Sequence, residues 1–179
     1  MKSLKFYKKK SYEIRKKLFE KFYILKEGHP GSVFSILDVL LIIYYEKFVR
    51  IRKKKVLDDV IMSKGHATVA QYPILADLGV IKAKDWNNWG LNNITNLKMF
   101  GNNMIPGIKT STGSLGHGVG LGSGIAYSAY KNKINKNVFI IISEGELYEG
   151  STWESFLLLA DLNLSNVFII LDVNKNIIL

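Results

Sequence analysis

Cysteine is absent from the 179 residues of this chain, and its absence excludes several kinds of chemistry. Without a thiol there is no disulfide, no thiolate nucleophile and no thiolate-bound metal. Histidine is scarce as well, with three residues, so His29, His66, His117 and the carboxylates are the main acid–base candidates near neutral pH. His29 and His66 each follow a glycine in a loop-like context, where the backbone can approach a ligand closely. His117 falls within a glycine-rich helical turn, and we expect a structural role for it.

Long apolar runs are also missing. The most apolar segment, residues 33–45, contains Asp38 and is too short to span a bilayer, so it predicts a buried helix and no membrane partner. The lysine-rich start is not followed by an uninterrupted apolar stretch, so we expect no signal peptide. Together with the lack of cysteine, this favours the cytoplasm. A composition of 47% hydrophobic and 22% charged residues, without repeats, indicates a single globular domain over residues 1–179.

Acidic residues are few, since 15 Asp and Glu face 25 Lys and Arg, which gives a net charge of +10. Such a charge is compatible with nucleic-acid binding, but no nucleic-acid-binding motif accompanies it, and we expect no such partner. Residues 2–17 interleave lysines with apolar residues, as an amphipathic helix would, and residues 50–55 are typical of a solvated loop. A basic field would attract anionic ligands, although a compositional bias toward Lys, Asn and Ile explains the charge equally well.

Two nearly identical apolar runs predict the centre of the fold. Residues 137–142 read Asn-Val-Phe-Ile-Ile-Ile and residues 166–171 read Asn-Val-Phe-Ile-Ile-Leu, as expected of strands buried on both faces. Residues 149–162, between them, place apolar side chains at helical spacing. This pattern predicts a strand–helix–strand crossover between parallel strands. We therefore expect a three-layer α/β domain, with a mostly parallel sheet and helices on both faces.

Polar residues follow both predicted strands. Glu144 comes after the first and Asn174 after the second, 30 positions later, so both return to the same edge of a parallel sheet. Residues 113–118, Gly-Ser-Leu-Gly-His-Gly, precede them and begin a helix. An edge with glycine amides, a carboxylate and an amide oxygen suits a metal-bound diphosphate. The alternative is an acidic turn and a polar strand end that bind no ligand.

Five short segments, in order, resemble a known family. They are Gly-His-Pro-Gly at 28–31, Ser-Lys-Gly-His-Ala at 63–67, Pro-Gly at 106–107, Ser-Thr-Gly-Ser-Leu-Gly at 111–116 and Glu-Leu-Tyr-Glu-Gly at 146–150. From about Leu18 to its last residue, the chain resembles the N-terminal, diphosphate-binding domain of transketolases. The resemblance is to the split form, in which this domain is a separate polypeptide. It implies the thiamine-diphosphate-binding fold.

The resemblance also implies a chemistry and a set of site residues. The implied cofactor is thiamine diphosphate with Mg²⁺ or Ca²⁺, and the reaction transfers a two-carbon ketol unit between sugar phosphates. His29 and His66 resemble the family's catalytic histidines, which line the thiazolium and the donor substrate's hydroxyls. The implied cofactor-binding residues are His66, Gly113, Ser114, Leu115, Gly145, Glu146 and Asn174. The implied metal ligands are Glu144, Asn174 and the carbonyl of Asn176.

The resemblance further implies a partner. The family's second essential domain grips the aminopyrimidine ring and supplies the activating glutamate, and this chain lacks it. We therefore expect a complementary pyrimidine-binding, C-terminal subunit, in a dimer of heterodimers. Glu149 resembles a glutamate that is buried near the family's subunit interface. Because the chain stops five residues after Asn174, where the family's domain continues, we expect a domain truncated relative to the family.

Two substitutions depart from the family's pattern. The family's metal turn reads Gly-Asp-Gly, whereas residues 143–145 read Ser-Glu-Gly, so the carboxylate of Glu144 extends one methylene further. Asn102 stands where the family has a substrate-facing histidine, and an amide cannot move a proton at neutral pH. These substitutions and the early end favour an alternative, in which the chain is a degenerate, non-catalytic cofactor-binding or scaffold subunit.

Overall fold

The computed structural model of the chain describes residues 1–91 and 96–174. Two helices begin the fold, α1 (Leu4–Leu25) and α2 (Pro30–Tyr45). The hydroxyl of Ser3 accepts a hydrogen bond from the backbone N–H of Phe6 (3.2 Å) and caps α1. Pro30 suits the first position of α2, where a backbone N–H would lack a helical partner anyway. None of the helices in the described part of the chain is long and apolar enough to cross a bilayer.

A small hairpin follows α2, formed by β1 (Ile51–Arg52) and β2 (Lys55–Val56) in antiparallel pairing. Its two-residue turn, Lys53 and Lys54, has positive φ angles of 49° and 62°. The prediction of a solvated loop over residues 50–55 is therefore wrong, because the backbone of this segment forms a hairpin. Glycine or asparagine normally occupies such turn positions, so two lysines gave no hairpin signal in the sequence.

The remaining elements complete an α/β chain. In order they are β3 (Asp59–Met62), a 3-10 segment (Gly65–Ala70), α3 (Gln71–Asp77), α4 (Ala83–Asn88), α5 (His117–Lys131), β4 (Val138–Ser143), a 3-10 segment (Glu144–Tyr148), α6 (Gly150–Leu162) and β5 (Val167–Asp172). The main sheet has the order β3-β4-β5, and both pairings are parallel. The predicted crossover is thus confirmed, with α6 connecting two neighbouring parallel strands.

Helices cover both faces of the sheet. Side chains alternate between the faces along each strand, so the same strands contribute to the packing on either side. One face packs against α1 and α2 and includes Val60, Met62, Phe139 and Ile141. The other packs against α5 and α6 and includes Ile61, Val138, Ile140 and Ile142. The predicted three-layer architecture is confirmed.

The last strand departs from the prediction that both apolar runs are buried on both faces. Residues of β4 are almost fully buried, but Phe168, Ile169 and Leu171 of β5 are 44%, 40% and 40% exposed. Within the described residues β5 pairs only with β4, so it is the edge of the sheet. The same sequence pattern thus gives a central strand at β4 and a half-exposed one at β5.

Candidate functional site

A cleft of about 410 Å³ lies at the carboxyl ends of the three parallel strands. Its volume is in the range typical of small-molecule sites. Segments that follow β3, β4 and β5 contribute to it, together with the start of α2 and the loop before α5. The lining residues are His29, Ser32, Lys64, His66, Phe100, Gly113, Leu115, Ser143, Glu144, Gly145 and Asn174.

One wall of the cleft, which we call the histidine wall, consists of His29 and His66. His29 caps the N-terminus of α2, and His66 lies in the 3-10 segment after β3. Their ring centroids are 5.2 Å apart and the rings meet edge to face at 66°. Burial, with further contributions from His29 and Lys64, lowers the pKa of His66 to about 4. The imidazole of His66 is therefore neutral at pH 7 and can accept a hydrogen bond as well as donate one.

A second wall of the cleft, which we call the acidic wall, consists of Glu144, Gly145 and Asn174. The backbone N–H of Asn174 donates a hydrogen bond of 2.9 Å to Oε2 of Glu144. The structure therefore brings together two residues that are 30 positions apart, because they follow neighbouring parallel strands. The third predicted metal ligand, Asn176, lies outside the described residues.

The oxygen donors of the acidic wall suit a hard cation. Residues 1–91 and 96–174 contain no cluster of three or more His, Asp or Glu side chains that could hold a metal ion. A metal at this wall would accordingly rest on the carboxylate of Glu144 and the amide oxygen of Asn174, together with ligands of another kind. This is how Mg²⁺ is usually bound, with one or two carboxylates, substrate phosphates and water.

Two glycines leave the backbone open to the cleft. A Cβ atom built on Gly145 would meet only the hydroxyl of Ser143, at 3.9 Å, and one built on Gly113 only Phe100, also at 3.9 Å. The space beside both glycines is therefore cleft rather than packed protein, and a diphosphate could approach the backbone there. Leu115 lines the cleft as well, whereas Ser114 is exposed and lies outside the set of lining residues.

A buried ion pair underlies the cleft, and sequence reasoning assigned it no role. Lys64, 1% exposed, pairs with the carboxylate of Asp172 and donates to the carbonyl of Ser32 (3.1 Å). The hydroxyl of Ser35 also donates to Asp172. Burial lowers the pKa of Lys64, and Asp172 opposes this shift. The pair joins α2, the segment after β3 and the end of β5; its only sequence signal was an acidic residue ending an apolar strand.

Glu146 does not lie where the sequence placed it. It was predicted to bind the cofactor, but it is fully buried and is not one of the lining residues. Its carboxylate instead accepts hydrogen bonds from Ser63, Gly116 and Ser143. The reason is geometric, since a 3-10 segment turns about 120° per residue and places residues two apart on different sides. Glu144 therefore lines the cleft while Glu146 enters the interior.

Two further residues discussed from the sequence lie outside the set that lines the cleft. The side-chain oxygen of Asn102 accepts a hydrogen bond from the backbone N–H of Met104 (3.0 Å), so this amide closes a local turn. His117 is exposed at the first position of α5.

Comparison with known proteins identifies the family. The profile of the family described as "Transketolase, thiamine diphosphate binding domain" matches residues 13–178. A subunit of apulose-4-phosphate transketolase from Phocaeicola vulgatus is 32% identical over 172 residues, which are 90% of this chain and 58% of that protein. The corresponding subunit from Actinobacillus succinogenes, which has the same name, is 33% identical over 154 residues, 83% of this chain and 55% of that protein. This chain thus spans little more than half the length of either relative.

Solved structures agree with this result at the level of the fold. Transketolase from Campylobacter jejuni superimposes with a TM-score of 0.84 at 22% identity, over 95% of this chain and 28% of that one. Transketolase from Leishmania mexicana gives a TM-score of 0.78 at 23% identity, over 97% of this chain and 28% of that one. The fold, the profile and the relatives together show that the chain belongs to the transketolase family, through its thiamine diphosphate-binding domain.

Proposed function

We propose that this chain is the N-terminal subunit of a transketolase-type enzyme, which uses thiamine diphosphate to transfer a two-carbon ketol unit between sugar phosphates. The observation that carries the proposal is the cleft itself. It places two facing histidines on one wall and a carboxylate, an open glycine and an asparagine on the other. Two relatives are named as single subunits of a transketolase, which supports a division of the enzyme into separate chains.

The acidic wall would hold the cofactor. Glu144 and Asn174, with the carbonyl of Asn176, would bind Mg²⁺ or Ca²⁺, and the open backbone at Gly113 and Gly145 would lie against the diphosphate. When bound, thiamine diphosphate supplies a carbon centre that accepts the electrons of the bond being broken in the sugar. The residues of this chain would bind the cofactor and orient it in the cleft.

The histidine wall would handle the protons and hydroxyls of the donor sugar. Because the pKa of His66 is about 4, its imidazole is neutral at pH 7 and can accept a hydrogen bond from a sugar hydroxyl. His29, whose ring lies 5.2 Å away, can hold a neighbouring hydroxyl in place.

Helix α6 presents the surface that we propose for the complementary, pyrimidine-binding subunit. Its side chains Trp153, Leu157 and Leu158 are 53%, 73% and 50% exposed. Large apolar side chains grouped on one exposed helix mark an interaction surface. Glu149, which resembles the family's interface glutamate, is also exposed and directly precedes this helix. We propose that the two kinds of subunit assemble as a dimer of heterodimers, as the resemblance to the family implies.

The proposal is tested by purifying the chain alone and with its co-expressed complementary subunit. We expect no ketol transfer by the chain alone, because the proposed complementary subunit supplies half of the cofactor site, and ketol transfer by the complex. Sustained turnover by the isolated chain, with no other protein present, would contradict the proposal.

The partner surface is tested by Leu157→Lys, with Phe19→Lys as the matched control. Phe19 is 62% exposed on α1, so the same kind of change is made outside α6. We expect Leu157→Lys to abolish co-purification of the complementary subunit without changing the circular dichroism spectrum, and Phe19→Lys to retain the subunit. Equal retention by both variants would exclude α6 as the contact surface.

One observation favours the alternative, a cofactor-binding subunit without activity. The metal turn carries the longer Glu144, and its carboxylate already accepts a hydrogen bond from the backbone of Asn174. The alternative predicts a complex that binds thiamine diphosphate and yet turns over no ketose phosphate. Binding and turnover, measured on the same preparation of the complex, separate the two proposals.

A further inference from the structure

Three of the chain segments that line the cleft are hydrogen-bonded to one buried carboxylate, that of Glu146. The hydroxyl of Ser63 donates to Oε1, and so does the backbone N–H of Gly116, at 3.0 Å. The backbone N–H of Ser143 donates to Oε2 at 2.9 Å, and its hydroxyl does so at 3.3 Å. The two oxygens therefore bind different segments. Oε1 joins the segment after β3 to the start of α5, and Oε2 holds the turn after β4.

Each donor lies next to residues of the cleft. Ser63 directly precedes Lys64 and lies three residues before His66; Ser143 directly precedes Glu144 and Gly145. Gly116 directly follows Leu115, in the glycine segment that lines the cleft. The carboxylate thus connects the segment of His66 in the histidine wall, the turn of Glu144 in the acidic wall, and the glycine segment, although it does not line the cleft.

The carboxylate is held without a direct ion pair to any residue that the structure describes. Glu146 and Ser63 are both fully buried. The carboxylate of Glu146 accepts four hydrogen bonds, which replace those that it would make with water. A buried charge is costly unless it is compensated in this way. Since its donors come from three separate segments, the compensation is complete only when all three are correctly placed.

Close backbone packing makes these positions sensitive to small shifts. A Cβ atom on Gly118 would come within 2.3 Å of the hydroxyl oxygen of Ser63, and one on Gly65 within 2.6 Å of the carbonyl oxygen of Thr112. No side chain fits at these two glycines, so the backbones of these segments lie in direct contact. A displacement of about 1 Å at a catalytic group can cost roughly a hundredfold in rate.

We propose that Glu146 is a positioning residue, which fixes the histidine wall, the acidic wall and the glycine segment relative to one another without touching cofactor or substrate. The inference rests on the proposed function, because the geometry that it fixes is that of the proposed cofactor cleft. It assigns to Glu146 a role different from the direct contact with the cofactor that its place in the sequence suggested.

The test compares Glu146→Gln with Leu18→Ala in the complex with the complementary subunit. Glutamine keeps the shape of glutamate but turns one acceptor oxygen into a donor, which must then face a donor of Ser63, Gly116 or Ser143. Leu18, fully buried on α1, is distant in the chain from these segments, and its truncation lowers thermal stability without changing them. Both variants are measured at a temperature at which both are folded.

We expect Glu146→Gln to weaken thiamine diphosphate binding at saturating Mg²⁺ by about tenfold or more, and to lower kcat as well. Leu18→Ala should leave both quantities within about twofold, although its Tm falls. Ser63→Ala removes one donor and keeps the carboxylate, so its effect should fall between wild type and Glu146→Gln. It also provides the test if Glu146→Gln does not fold.

Unchanged affinity and kcat in Glu146→Gln, or in Ser63→Ala if only that variant folds, would overturn the inference and leave the proposed function standing. A loss of affinity in Leu18→Ala that matches its loss of Tm would also overturn it, because Glu146 would then act through stability alone. If the wild-type complex binds no thiamine diphosphate, the proposed function fails first and the inference falls with it.

Discussion

The two walls of the cleft are built by different rules and carry different functional groups. The acidic wall joins Glu144 and Asn174 from neighbouring parallel strands, whose carboxyl ends must meet at one edge of the sheet. The histidine wall joins His29 and His66 from a helix start and a 3-10 segment, which meet because α2 packs on that segment. Local topology suffices for the first wall, whereas the second depends on tertiary packing.

The two walls also differ in what they offer a ligand. His66 of the histidine wall is partly buried and lies near the cation of Lys64, and the pKa of His66 is lowered to about 4. The acidic wall offers a carboxylate to the cleft. We expect the acidic wall to bind a metal diphosphate and the neutral imidazole of His66 to bind an uncharged hydroxyl.

The largest expected effect is on kcat, when a residue of the histidine wall is replaced. Replacement of His29 or His66 by Ala in the complex should lower kcat by roughly the 10²–10⁴ typical of a lost acid–base group. His117→Ala is the matched control, because His117 is exposed and outside the set of lining residues, and its kcat should stay at the wild-type value. Steady-state kinetics and thermal melts check both expectations. Wild-type kcat combined with a large loss of Tm would instead assign the two histidines to structure.

A smaller effect is expected on cofactor affinity, when Glu144 of the acidic wall is shortened. Glu144→Asp shortens the side chain by one methylene and gives it the length of the aspartate in the turn that it resembles, so we expect Mg²⁺-dependent binding of thiamine diphosphate to tighten. A tenfold gain corresponds to about 1.4 kcal/mol, which one improved ligand distance can supply. Glu20→Asp, at an exposed position of α1, is the control. Weaker binding by Glu144→Asp would show that the longer side chain is already the better ligand.

The smallest expected effect is on stability, and it tests the lowered pKa of His66 separately from any role of His66 in catalysis. The pKa of His66 in the folded chain, about 4, is below the value of about 6.5 expected when it is unfolded. Its contribution to the free energy of unfolding is therefore fully present above about pH 6.5 and is lost as pH falls toward 4. We expect His66→Gln to lose less stability than wild type between pH 7 and 5 in urea titrations. An identical pH dependence in the two proteins would contradict the lowered pKa, and His117→Gln should behave as wild type.

The sequence predicted the sheet well where the signal is local. Residues 138–143 and 167–172 form strands, one position later than their apolar runs suggested, and short runs rich in Val, Ile and Phe favour extended backbone. The exposure of β5 could not be predicted in this way. Whether an apolar strand is central or at an edge depends on its neighbours, and the runs that form β4 and β5 are nearly the same.

The site was predictable to the same extent. The meeting of Glu144 and Asn174 follows from the spacing of one crossover, and the histidines were recognisable from their motifs. The burial of Glu146 and the ion pair of Lys64 with Asp172 were not, because both depend on contacts between segments far apart in the chain. A pattern of residue types does not show which of two glutamates, two positions apart, faces a ligand.

The most direct test of the central claim is a calorimetric titration of thiamine diphosphate into the complex of this chain with its complementary subunit, with and without Mg²⁺. We predict binding by the wild type only when Mg²⁺ is present, and no Mg²⁺-dependent binding by Glu144→Ala, while Glu20→Ala binds as the wild type does. The account is contradicted if the wild-type complex binds no thiamine diphosphate in the presence of Mg²⁺, or if Glu144→Ala binds it with unchanged affinity and the same dependence on Mg²⁺.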